Sequence, residues 1–64
     1  MIINGEKKEI PHPISLLEFL QQEGFQKERI AVELNGEILP KSEYDSTVIQ
    51  EKDRLEIVSF VGGG

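Results

Sequence analysis

A chain of 64 residues with no cysteine is one small domain that must hold by packing alone. A domain this size buries only about 60% of the surface its unfolded chain exposes, and no disulfide or zinc knuckle is available to add to that. Twelve acidic against seven basic side chains, a formal charge of -5, disfavour nucleic acid, anionic membranes and acidic ligands and favour a partner with a basic docking face. No apolar run reaches the roughly 7 to 15 residues of a signal core or the ~18 of a membrane span, so the chain is expected in the cytoplasm. So short a chain leaves no room for a cleft between two domains, and no catalytic residue is expected in it.

Met1 to Ile3 reads as a short apolar strand, Asn4-Gly5 as a two-residue hairpin turn, and Glu6 to Ile10 as the returning strand. Pro11 and Pro13 remove ladder donors and close that strand. Ser15 and Glu18 stand in capping-box spacing, with Ile14 and Phe19 placed as a hydrophobic staple. Leu16, Leu17, Phe19 and Leu20 give a helix an apolar stripe wide enough to lie on a sheet, and Gly24 is placed to end it as a left-handed cap. His12, between the two prolines, has no serine, cysteine or metal-ligand companion at useful spacing and reads as a surface or packing residue.

Beyond the polar stretch Gln26 to Arg29, the branched run Ile30 to Leu34 reads as a strand, turned by Asn35-Gly36 into Glu37 to Leu39. Neither Asn-Gly pair opens a helix with further glycines, so both are turns and not phosphate cradles. Pro40 stops the pairing. Lys41 to Ser46 reads as irregular or a single helical turn with Tyr44 as its packing anchor, Thr47 to Gln50 as a weak strand, and Glu51-Lys52-Asp53 as a turn. From Arg54 to Ile57 polar and apolar residues alternate, which directs Leu55 and Ile57 toward the helix and leaves Val58 and Phe60 on the opposite face as a candidate partner-docking patch. The acidic residues are scattered, no pair has acid/base or metal-site spacing, and no metal is expected. The class is α+β, one helix across one face of a mixed sheet.

Gly62, Gly63 and Gly64 follow the last strand. A glycine run stabilises nothing in a folded body and suits close approach to another surface. From Val61 to Gly64 the chain can extend roughly 13 Å, enough to carry the Gly64 carboxylate into a narrow channel, with Gly62 and Gly63 giving access. The expected organisation is a domain over 1–61 and a flexible tail over 62–64.

The order ββαββ, with four to five strands, and the terminal glycines resemble the ubiquitin-like β-grasp fold, in which the first and last strands lie parallel at the sheet centre. The segments AVELNGEILP, VIQEKDRLEIV and the ending FVGGG resemble the ThiS family, the small sulfur carriers of thiamin biosynthesis. The resemblance covers essentially the whole chain, and the NGEI-x-P element with the terminal Gly-Gly carries most of it. Lys52 departs from it, at a turn position where the family often has glycine. A residue forced to positive φ there would cost about 1 to 2 kcal/mol.

The resemblance implies that the chain is no enzyme and binds no cofactor itself. A ThiF-like adenylating enzyme, using ATP and magnesium, activates the Gly64 carboxylate as an acyl-adenylate. A cysteine desulfurase system supplies persulfide sulfur to give a thiocarboxylate, and a ThiG-like thiazole synthase takes that sulfur. The free carrier is expected to be a monomer. A carrier for molybdopterin or tRNA thiolation, or a ubiquitin-like modifier joined to target lysines, would share the fold and the tail. A passive binding module would need a groove or an anchor cluster beyond Val58 and Phe60.

Overall fold

In the computed structural model, which describes residues 1–60, both Asn-Gly pairs close hairpins. Asn4 and Gly5 sit at φ 50° and 83°, Asn35 and Gly36 at 54° and 88°, the positive values that a type I′ turn requires at both central positions. The first turn joins β1 (Ile2–Ile3) to β2 (Glu6–Lys7). The two prolines separate β2 from β3 (Ile14–Ser15), which runs directly into α1 (Leu16–Gln22). A 3-10 turn at Lys27–Arg29 leads into β4 (Ile30–Leu34), and the second Asn-Gly turn joins β4 to β5 (Glu37–Leu39). Another 3-10 turn, Lys41–Glu43, precedes β6 (Val48–Ile49) and β7 (Arg54–Ser59).

The main sheet has the order β2-β1-β7-β4-β5, with β1 and β7 parallel and every other pair antiparallel. One helix on a five-stranded mixed sheet, with first and last strands as parallel neighbours, is the β-grasp architecture expected from the sequence.

Three local readings need correction. The second strand ends at Lys7 and not at Ile10: Lys8 N–H still bonds the carbonyl of its register partner Met1 at 2.8 Å, but Ile10 N–H leaves the ladder for Glu51 Oε2 at 2.7 Å. Ile14 and Ser15 form a two-residue ladder with Val48 and Ile49 that the flanking prolines conceal. Of the capping box only one half exists among the described residues: Ser15 Oγ accepts the Glu18 N–H at 3.3 Å, with no reciprocal bond from the Glu18 carboxylate. The helix stops as expected. Gly24, at φ 86°, donates to the Gln21 carbonyl at 3.1 Å and Phe25 N–H to the Leu20 carbonyl at 2.9 Å, a Schellman motif that satisfies the last carbonyls.

Leu16, Phe19 and Leu20 of α1 are buried against Ile30, Val32, Leu55 and Ile57 of the sheet, and Met1, Ile10, Tyr44 and Ile49 complete the same core. Each such side chain contributes roughly 1.5 to 3 kcal/mol on leaving water, so α1 is held by its apolar face rather than by its seven-residue length. Lys52 carries no strain, since Asn4 and Asn35 are the only non-glycine residues at positive φ among those described. Its turn is closed instead by Asp53 N–H on the Gln50 carbonyl at 3.0 Å. Gly62, Gly63 and Gly64 lie outside the described residues.

Candidate functional site

The strand that leads to the C-terminal glycines is clamped along its length. Arg54 N–H donates to Asn35 Oδ1 at 2.9 Å, Ile57 N–H to Asn4 Oδ1 at 2.8 Å, and Phe60 N–H to the Arg29 carbonyl at 2.7 Å. Asn35 Nδ2 also donates to Asp53 Oδ1 at 3.1 Å, while Asp53 Oδ2 accepts the Gln50 N–H at 2.9 Å. Each Asn-Gly turn therefore does two jobs: its backbone reverses the chain, and its asparagine amide holds β7. A residue at that left-handed position must be glycine or a short polar side chain, and only the latter can reach across.

From Arg54 to Val58 exposed and buried residues alternate, with Leu55 and Ile57 buried and Val58 60% exposed; Ser59 is exposed too, and Phe60, just past the strand, is 58% exposed. The register sets Ala31 opposite Val58, and Glu33 opposite both Glu56 and Ile38. Ile38, 77% exposed, thus lies on the same open face two strands away. A groove of about 370 Å³ runs between these strands, lined by Asn4, Ala31, Glu33, Ile38, Glu56 and Val58. Single exposed apolar residues mean little, but Ile38 and Val58 beside one groove, with the exposed Phe60 two residues beyond Val58, form a patch. Ile38 was missed in the sequence because Glu37–Leu39 is too short to show alternation. Its signal was the hairpin register, which turns Leu39 inward against Val32 and so turns Ile38 out.

The Glu33–Glu56 pair places like charges directly opposite on this face, an arrangement that costs stability in a sheet and would be relieved by a basic side chain from a partner. The other titratable groups do not build a reactive centre. His12 is exposed, its Nδ1 3.1 Å from the Pro13 carbonyl. Burial pushes the Tyr44 hydroxyl up, and the hydrogen bond from Ile10 N–H holds the Glu51 carboxyl below its usual range. Among the described residues no three acidic or histidine side chains gather as metal ligands, and no buried side-chain polar atom lacks a partner. No described helix is long and apolar enough to cross a membrane.

The model of the ThiS family matches residues 1–64, the whole chain. The chain belongs to the ThiS family. Its β-grasp body superposes on the crystal structure of a thiamine biosynthesis protein, ThiS from Geobacter metallireducens, with a TM-score of 0.81 at 32% identity, covering 98% of this chain and 96% of that one. This ThiS-family chain is also 45% identical over 62 residues to the uncharacterized protein ycf40 of Pyropia yezoensis, covering 97% of this chain and 87% of that protein. It is 39% identical over 64 residues to a thiazole synthase of Paramagnetospirillum magneticum, covering all of this chain but 20% of that protein. The same relation recurs at 37% identity in a thiazole synthase of Magnetococcus marinus.

Proposed function

We propose that this chain is the sulfur carrier of thiamin (thiazole) biosynthesis, with the Gly64 carboxylate as its reacting group. The observation that carries the reading is the match to the ThiS family over residues 1–64. A carboxylate with an ordinary pKa of about 3.3 to 3.7 is ionised at neutral pH and nucleophilic. It attacks the α-phosphorus of ATP in the adenylating partner, expelling pyrophosphate and leaving an acyl-adenylate. A persulfide then attacks the acyl carbon and expels AMP, and a thiol cleaves the resulting S–S bond, supplying the two electrons that leave a thiocarboxylate on Gly64. Gly62 and Gly63 let the end approach without side chains.

Docking on the adenylating enzyme is assigned to Val58, Phe60 and Ile38, with Glu33 and Glu56 favouring a basic partner surface. A thiazole synthase is the proposed acceptor of the sulfur, supported by two thiazole synthases that contain a segment similar to 100% and 97% of this chain. The desulfurase-type sulfur source and the cytoplasmic location belong to the same proposal. ATP–pyrophosphate exchange by a ThiF-type enzyme with this chain as substrate tests it. Exchange is expected with the native chain and should disappear when one alanine follows Gly64, because the carboxylate would then sit about 3.5 Å too far along the channel. Equal exchange by the extended chain would refute end-specific activation.

A further inference from the structure

Lys41 stands where β5 stops short of β4. Val32 pairs with Leu39, and the same register would next set Ile30 opposite Lys41. Pro40 lacks an N–H and turns the chain into the Lys41–Glu43 turn instead. The bonds from Phe60 N–H to the Arg29 carbonyl and from Asn35 N–H to the Arg54 carbonyl show that odd-numbered residues here direct their main-chain groups at β7. The Ile30 carbonyl therefore points to the side that β5 has vacated. Ile30 is 1% exposed, and a carbonyl in such a position needs a donor. Lys41 Nζ supplies it, donating to the Ile30 carbonyl.

That bond brings the ammonium to 5.8 Å from the ring centroid of Tyr44 and 5.8 Å from that of Phe60, within cation–π range. Tyr44 is buried in the core, whereas Phe60 is exposed and is the last described residue before the C-terminal segment. One side chain thus ties the core, the start of β4 and the ring of Phe60 together. We propose that Lys41 is a positioning residue for the C-terminal reaction: by holding the Phe60 ring at the start of β4, it fixes the point from which the chain beyond Phe60 reaches a partner's active site. The proposal rests on the reading of Gly64 as the reacting group.

The test compares the native chain with Lys41→Met, Lys41→Gln and Lys41→Arg as substrates of a ThiF-type enzyme, each confirmed folded by NMR. Lys41→Met keeps the aliphatic stem and loses the charge and the donors; Lys41→Gln keeps a donor alone; Lys41→Arg keeps both. Lys41→Met should lower kcat about 2- to 5-fold, the equivalent of an exposed cation–π contact, with KM unchanged within about 2-fold. Lys41→Arg should restore kcat, Lys41→Gln should not, and Lys41→Met should add nothing in a Phe60→Leu background. Native kcat in Lys41→Met, or a rise in KM alone, would overturn the positioning role.

A second readout needs no enzyme and no foldable variant at Lys41. The ε-methylene protons of Lys41 in the native chain should be shifted upfield by the rings, and Phe60→Leu should remove part of that shift. Unshifted protons in the folded native chain would overturn the proposal. A native chain that is never adenylated would instead overturn the sulfur-carrier reading, and the proposal with it.

Discussion

Asn35→Ala isolates what an asparagine contributes at a left-handed turn position. At φ 54° an alanine Cβ costs about 1 to 2 kcal/mol. Loss of the bond from Arg54 N–H costs about 0.5 to 1.5 kcal/mol and loss of the bond to the Asp53 carboxylate about 1.5 to 3 kcal/mol, the latter discounted because Asn35 itself is exposed. The expected loss is about 3 kcal/mol, against a total stability of roughly 3 to 10 kcal/mol for a domain of this length. Asn35→Gly removes both bonds without the backbone strain and should lose about 1.5 to 2 kcal/mol. Urea unfolding followed by circular dichroism measures both variants. In a thermal scan the alanine variant should melt about 12 to 24 °C lower. A glycine variant as stable as the native chain would refute the clamp, and an alanine variant no worse than the glycine one would refute the strain.

Ile38→Ala and Val58→Ala should each leave stability within about 0.5 kcal/mol, as exposed positions do, yet weaken the complex with the adenylating enzyme by more than about 1 kcal/mol in titration calorimetry; destabilisation without loss of affinity would place them in the core. The lowered carboxyl pKa of Glu51 means that its contribution to stability is complete above the unfolded value of about 4.3 and is lost as pH falls through the lower folded value. Urea midpoints measured from about pH 7 down to about pH 2 should therefore fall less steeply for Glu51→Gln than for the native chain. Tyr44 is the only tyrosine and burial raises its pKa, so tyrosinate absorbance should appear above the ordinary midpoint of about 10 while the chain is folded. Stability that depends on its neutral form is present below that ordinary value and lost as pH rises through the folded one.

What the sequence disclosed were the features whose cause is local. The two Asn-Gly turns, the Ser15 cap, the Gly24 stop and the alternation that buries Leu55 and Ile57 each follow from a few adjacent residues. The exposure of Val58 and Phe60 followed from that same alternation. The ladder between Ile14–Ser15 and Val48–Ile49 did not, because two residues on each side carry no periodicity and the pairing is long-range. Asp53 read as a turn residue by composition. Its burial comes from Asn35, eighteen positions away, and from the Gln50 N–H. Lys41 read only as the first residue of the stretch to Ser46, irregular or a single helical turn after Pro40. Its partners, the Ile30 carbonyl and the Phe60 ring, become neighbours only once β4 lies between β5 and β7. The reading of Gly64 rests on chemistry and family likeness, since the glycines lie outside the described residues.

The measurement that bears most directly on the carrier reading is the intact mass of this chain after expression with its adenylating enzyme in sulfur-replete cells. A fraction should carry sulfur in place of one oxygen, with tandem fragmentation confining the change to Gly64, and that fraction should vanish when Gly63 and Gly64 are deleted or the adenylating enzyme is absent. A chain that stays a plain carboxylate under those conditions, or that gains sulfur at a residue other than Gly64, would contradict the account.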